Sequence, residues 1–265
     1  MKNLFSVQDK VIVITGAAGV LGTSMVHHFA EQGAKVVILD RNEEAGRRLE
    51  EAVKTEGGEV MFLYTDVLDK QVLEGNYTEI IARYGRIDVL INGAGGNMAG
   101  ATIAPDKTIF DLDIEAVRKV VDLNLFGIIL PTMTFTRAMI EQKQGSIINI
   151  SSESAIRPLT RVAGYGVAKA AVTNFTKYMC GELATKYGDG LRVNAIAPGF
   201  FITEQNRTLL LNPDGSYTER SKTILAHTPY GRGTIPHGTN PGKTTTSKPL
   251  GRCSGLPCKS INLSK

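Results

Sequence analysis

The chain has 265 residues, 42% hydrophobic and 21% charged, an ordinary globular composition long enough to bury the core of one α/β domain. No uninterrupted apolar run reaches the roughly 18 residues of a membrane span, and the first ten residues lack the apolar stretch of a signal peptide, so a cytoplasmic protein without a membrane partner is expected. The net charge of +4 is uneven: Arg220 to Lys265 carries eight Lys/Arg and no acid, leaving 22 basic and 26 acidic residues, a net −4, in residues 1–219.

In chain order, Val11-Ile12-Val13-Ile14-Thr15 is a continuous apolar run, the pattern of a strand buried on both faces. Residues 35–40, 60–66, 87–94, 146–151 and 192–197 repeat it. Helical stretches fall between them at 21–32, 43–56, 72–84, 114–142 and 165–187, the fourth read as two helices with Pro131 bending the second. Six strands alternating with helices specify an α/β fold, a doubly wound parallel sheet, with one domain over residues 1–232 and no internal repeat. Cys180, Cys253 and Cys258 are too few for a disulfide framework and lack Cys-x-x-Cys spacing; His27 and His28 are adjacent and point to different helix faces, so no metal site is expected.

Ligands of such sheets bind beyond the carboxyl ends of the strands. The chemically informative residues fall there: Gly16, Asp40, Asp66, Asn92, Ser151-Ser152 and Pro198-Gly199. From Thr15 to Gly22 the chain turns from strand to helix. Gly16, Ala18 and Gly19 are small enough for a pyrophosphate to approach the backbone, and the helix start at Val20, Leu21 and Gly22 offers free N–H groups and a partial positive charge. Asp40, 24 residues after Gly16, suits the ribose hydroxyls of an adenosine and repels a 2′-phosphate, which favours NAD over NADP. Arg41 beside it could pair with such a phosphate, or be a loop charge or a partner for Glu44.

Tyr165 is followed four residues later by Lys169 and preceded by Ser152. Taken with the strand-end residues, this triplet resembles the short-chain dehydrogenase/reductase family over about residues 8–232. The glycine turn is similar to the family's Thr-Gly-x-x-x-Gly-x-Gly, with Val20 where the middle glycine is usual. Asp66-Val67 resembles its adenine-contacting Asp-Val, and Asn92-Gly93-Ala94-Gly95 its cofactor-side Asn-Asn-Ala-Gly, with Gly93 replacing the second asparagine. Asn124, Ser152, Tyr165 and Lys169 match its catalytic tetrad, and Pro198-Gly199 with Thr203 match the segment that holds the nicotinamide. The resemblance implies a Rossmann fold, an NAD(P)-dependent enzyme and a homotetramer. Residues 92–97, 105–112, 197–211 and 225–229 resemble a sugar-acid branch of the family that interconverts D-mannonate and D-fructuronate. A polyol or keto-sugar-acid reductase, such as one for 5-ketogluconate, is the nearest alternative, and a cofactor-binding but inactive form is another.

A tyrosine of ordinary pKa ~10 is a weak base at neutral pH. Lys169, one turn on, favours the phenolate, as does an oxidised nicotinamide; Tyr165 then takes the hydroxyl proton as hydride leaves the same carbon, and returns it in reduction. Ser152 would hold the reacting oxygen in line. The resemblance further implies that Lys169 contacts the nicotinamide ribose and that Asn124 anchors a water relay to Lys169. For the carboxylate of a sugar acid, Arg157, Arg161 and Arg207 are candidate cations, with Asn97 and Glu153 as candidate hydroxyl partners.

After Arg232 the resemblance stops. Residues 233–265 are basic, acid-free and rich in scattered glycine and proline, without helical periodicity or a strand-length apolar run. They replace the family's last helix and strand, as a reading frame lost near residue 232 would; a variant C-terminus is the other explanation. Low stability, weakened assembly and impaired activity are the expected consequences. The basic residues come without aromatic platforms or a helical charge stripe, so no nucleic-acid partner is expected.

Overall fold

The computed structural model describes residues 5–199 and 207–226. Six parallel strands form one sheet: β1 (Val11–Thr15), β2 (Lys35–Asp40), β3 (Glu59–Tyr64), β4 (Val89–Asn92), β5 (Gly145–Ile150) and β6 (Leu191–Ile196), in the order β3-β2-β1-β4-β5-β6. Helices α1 (Val20–Glu31), α2 (Glu43–Thr55), α3 (Lys70–Tyr84), α4 (Ile114–Val121), α5 (Gly127–Gln142) and α6 (Ala163–Tyr187) connect them, followed by α7 (Arg207–Leu210) and α8 (Glu219–Ala226). This is the doubly wound Rossmann-type sheet that the alternation of runs predicts. The expected tail, residues 233–265, lies outside the described residues.

Alternate strand residues feed two cores. Val11, Val13, Val37, Leu39, Leu90 and Ile147 pack with Leu73, Ile80, Phe135, Met139 and Leu183 from α3, α5 and α6. Ile12, Ile14, Val36, Ile38, Phe62 and Ile91 pack with Val26, Ala30, Leu49 and Val53 from α1 and α2. Both faces of each inner strand are therefore buried, which is why these runs are continuously apolar instead of alternating. Strand order reverses between β1 and β4, where Val13 aligns with Val37 on one side and Leu90 on the other. That reversal opens the crevice in which such sheets bind ligands.

The stretch 114–142 is two helices as expected, joined through a π-helical turn, Asp122–Phe126, with Pro131 inside the second. From Ile114 to Gln142 the helical run is also long and apolar enough, by length and composition alone, to cross a membrane, which a search for uninterrupted apolar residues misses. Here it is a core helix: Val120, Ile128, Phe135, Ala138 and Met139 along it are buried. Among the described residues β6 pairs only with β5, and Ile196 at its end is 51% exposed.

Candidate active site

The glycine turn is held by its own backbone geometry and by the side chains of Thr15 and Asp40. Gly16 adopts φ +66°, a left-handed geometry that favours glycine, and a Cβ there would lie 2.7 Å from the Ala94 Cα. Thr15 Oγ1 accepts from the Gly93 and Ala94 N–H groups at 3.1 and 3.2 Å, fixing the loop after β4 against the loop after β1. Asp40 reaches across from β2, its Oδ2 accepting from the Ala18 N–H at 3.0 Å and its Oδ1 from the Asn42 N–H at 2.9 Å. Helix α1 starts at Val20 with Gly19 as a cap that has no side chain to offer and no acid in the first turn. The N–H groups of Val20, Leu21 and Gly22 therefore lack intrahelical partners, which makes this end a fit for a phosphate group. Val20 is simply the first helical residue, a place that tolerates a side chain.

Around the rim, Arg41 is exposed and Glu44 pairs with Arg48, so the possible Arg41–Glu44 partnership is not formed. Asp66 is half-buried with Oδ1 on the Leu68 N–H at 2.9 Å, and Val67 beside it is buried. Pro198 accepts from the Glu153 N–H at 3.1 Å, which ties the end of β6 to the turn after Ser152. Thr203 lies outside the described residues.

Asn124, Gly95 and Lys169 meet at one point. Asn124 is fully buried in the π-helical turn; its Nδ2 donates to the carbonyls of Val120 (2.8 Å) and Gly96 (2.7 Å), and its Oδ1 accepts from the Gly96 N–H (3.0 Å). A helix widened by one residue is a local irregularity that this side chain supports by capping a carbonyl four residues back. A Cβ on Gly95 would come within 2.6 Å of Asn124 Oδ1 and 3.2 Å of Lys169 Nζ, so only glycine lets the loop pass between them. Lys169 is 3% exposed, and its Nζ donates to the Ile150 carbonyl at 2.8 Å and lies 5.7 Å from the Tyr165 ring centroid. Burial pulls the Lys169 ammonium down to about 8.

Ser152 is 8% exposed and caps the short turn Glu153–Ala155 through the Ser154 N–H at 3.2 Å. Burial raises the Tyr165 phenol above its ordinary value, and the Ser152 hydroxyl offsets only part of that rise. Lys169 Nζ, held on the Ile150 carbonyl, sits over the face of the Tyr165 ring.

Some sequence candidates stand elsewhere. Asn92 is fully buried, with Nδ2 on Thr132 Oγ1 and Asn149 Oδ1 at 2.9 and 2.8 Å; its side chain braces the core, while the backbone of Ala94 and Gly95 borders the crevice. Asn149 passes the chain on to Thr176 at 3.0 Å, and Ser151 Oγ joins Thr173 Oγ1 at 2.8 Å. This buried network links β4 and β5 to α5 and α6 under the site. Its signal in the sequence is an asparagine inside each of two apolar runs, Asn92 and Asn149, which align in register. Arg157 Nε pairs with Glu153 Oε1 at 3.1 Å. Asn97 Nδ2 donates to Thr102 Oγ1 at 2.7 Å, and Arg207 is exposed at the start of α7. Arg161 faces the loop after β4, its Nε donating to the Ile103 carbonyl at 2.8 Å.

A dinucleotide-type turn with a carboxylate at the next strand end, beside a tyrosine and a buried lysine one helical turn apart, defines a nicotinamide-dependent oxidoreductase. The family model for short chain dehydrogenases matches residues 10–213, and the chain belongs to that family. It is 40% identical over 231 residues to an uncharacterized oxidoreductase, UxuB, of Bacillus subtilis, spanning 84% of this chain and 82% of that one. A protein of Haemophilus influenza provisionally assigned as a D-mannonate oxidoreductase, solved with bound NAD, is 37% identical and superposes with a TM-score of 0.81 over 87% of this chain and 85% of its own. A gluconate 5-dehydrogenase of Burkholderia cenocepacia, solved with NADP and tartrate, is 31% identical with a TM-score of 0.76 over 87% and 85% of the two chains.

Proposed function

We propose that this chain transfers hydride between NAD(H) and a sugar acid, with D-mannonate and D-fructuronate as the pair. The observation that carries the reading is the convergence of Tyr165, Ser152, Lys169 and Asn124 beside Gly95, at the crevice edge of a turn whose Ala18 N–H is tied to Asp40. The similarity to the Haemophilus and Burkholderia proteins supports a sugar-acid substrate.

When bound, the nicotinamide accepts or donates the hydride. The first turn of α1 would hold the phosphates, Asp40 and Asp66-Val67 the adenosine, and Ala94-Gly95 and Pro198-Gly199 the nicotinamide end. Ser152 fixes the reacting oxygen against Tyr165. With its pKa raised, Tyr165 is a neutral phenol at neutral pH and is set to give its proton to a carbonyl oxygen, the direction of ketone reduction. Lys169, charged below about 8, would stabilise the phenolate that remains once the proton has gone. Asn124 holds the loop 95–96 in place and is the anchor for a proton path to Lys169.

The decisive assay is NADH consumption with D-fructuronate and, in parallel, 5-ketogluconate. Faster turnover of D-fructuronate supports the pair named; faster turnover of 5-ketogluconate moves the substrate to the gluconate side. NADH binding with no turnover of either supports the inactive alternative.

Asp40 sets the choice of cofactor. Asp40→Asn keeps an acceptor for the Ala18 N–H but removes the charge that repels a 2′-phosphate. The ratio of kcat/KM for NADPH over NADH should rise about tenfold, the scale of ~1.4 kcal/mol for one charge contact. An unchanged ratio would show that Asp40 does not read the ribose.

Assembly and setting belong to the same proposal: a cytoplasmic homotetramer without nucleic-acid or membrane partners. Large apolar side chains on α4 through α6, among them Ile114, Phe126, Met133, Val167 and Tyr178, are 46–66% exposed, which suits contact with further copies. Residues 1–232 would form the catalytic domain and 233–265 an appendage that weakens it. Sedimentation should give four chains per particle or, with assembly impaired, a concentration-dependent mixture; a sharp monomer at all concentrations would refute self-association.

A further inference from the structure

Among the described residues, three besides glycine take a positive φ: Asp9, Lys143 and Arg161. Asp9 and Lys143 stand in the connections leading into β1 and β5, at the amino ends of the strands. Arg161, at φ +75°, stands at the opposite end of the sheet, four residues before Tyr165. A left-handed backbone is unfavourable for a residue with a long side chain and persists where neighbouring contacts hold it.

Those contacts converge on Ile103. The Ile103 N–H donates to the Arg161 carbonyl at 3.0 Å, and Arg161 Nε donates back to the Ile103 carbonyl at 2.8 Å. The pair closes like one rung of an antiparallel ladder, with a side-chain N–H standing in for the second backbone donor. Ile103 follows a braced turn: Thr102 Oγ1 accepts from Asn97 Nδ2 at 2.7 Å and donates to the Met98 carbonyl at 3.1 Å, which also accepts from the Ala101 N–H at 3.1 Å. Asn124 holds the same loop at Gly96, next to the Gly95 that faces Lys169. The loop after β4 is therefore pinned twice, once beside Lys169 and once at the approach to Tyr165.

The start of α6 needs such a hold. Val162 at its N-cap offers no side-chain hydrogen bond, and the first turn has no acid. Helix ends fray, and Tyr165 stands in that first turn. Two contacts place the turn: Gly164 packs so closely on α4 that a Cβ there would lie 3.0 Å from Val117 Cγ1, and the Arg161–Ile103 pair fixes the chain just before it. We propose that Arg161 is a positioning residue for the proton transfer: through Ile103 it sets the first turn of α6, and with it the Tyr165 hydroxyl, at a fixed spacing from the loop after β4. The role rests on the reading of Tyr165 as proton donor. It gives Arg161 a task that depends on its Nε–H and not on its charge.

Two substitutions separate these properties. In Arg161→Gln the amide Nε2 follows Cδ as the arginine Nε does, so it can donate to the Ile103 carbonyl without a charge; Arg161→Met has a similar reach and no donor. In NADH-dependent reduction of D-fructuronate, Arg161→Gln should keep kcat within about threefold of the parent and Arg161→Met should lower it about 10- to 100-fold, the scale of misplacing a reacting group. KM for NADH and for the acid, NADH affinity and the melting temperature should change little in either variant. Parent-like kcat in Arg161→Met would overturn the positioning role. So would equal losses in both variants, or losses carried by KM for the acid, since either makes the charge the operative property. Loss of NADH affinity and melting temperature in step with kcat would make the pair a structural support only, and would overturn the role as well. A parent chain without turnover would remove the reading of Tyr165 and the role of Arg161 with it.

Discussion

Replacing Tyr165 by phenylalanine is expected to lower kcat for NADH-dependent reduction about 10²- to 10⁴-fold, the range for losing a positioned proton donor. The substitution removes one oxygen from a half-buried ring and leaves the Gly16–Gly22 turn, Asp40 and the Gly95 loop untouched. NADH should therefore still bind. Fluorescence titration of NADH alongside steady-state turnover separates the two effects. Loss of binding together with turnover would mean that Tyr165 is chiefly a structural support. Retention of most turnover would mean that another group delivers the proton. The raised pKa of Tyr165 adds a direction: the phenol stays protonated at neutral pH, so reduction should proceed there, and oxidation of the sugar acid should improve as pH rises.

Lys169 should reveal itself in stability as well as in rate. Burial holds its folded-state pKa at about 8, against 10.5 for an exposed lysine. Below about 8 both folded and unfolded chains carry the charge, and the full cost of burying it is present, on the order of 3 kcal/mol. Between about 8 and 10.5 the unfolded chain keeps a proton that the folded chain has released, so folding grows more favourable as pH rises through that window. Lys169→Met removes the titration. Its stability relative to the parent chain should be highest near pH 7 and should fall as pH approaches about 10, by up to the same few kcal/mol, in urea unfolding at the two pH values. A pH-independent difference would place Lys169 in a more hydrated setting than its 3% exposure and single bond to Ile150 imply. The variant should also lose turnover, since no cation then stands behind Tyr165.

The strands were legible in the sequence because a sheet covered on both faces needs uninterrupted apolar runs, and Val11–Thr15 and Lys35–Asp40 have the predicted bounds. The strand-end residues were legible for the same reason: once the runs are parallel, Gly16, Asp40 and Ser152 must share one edge. What could not be read was how side chains turn. Asn92 sits at the right height but points into the core, a choice made by its register with Asn149 and by Thr132 on α5, far along the chain. The π-helical turn at Asn124 was missed because its cause is tertiary: the asparagine amide serves Gly96 as well as Val120. Arg157 and Arg161 look alike in the sequence; in the structure the first pairs with Glu153 and the second with the Ile103 carbonyl.

The most direct test of the central claim is the consumption of NADH by the purified full chain presented with D-fructuronate, with D-mannonate identified as product. The site predicts turnover that requires both substrates, stops with Tyr165→Phe and yields D-mannonate. NADH binding without consumption, or consumption that persists in Tyr165→Phe, would contradict it.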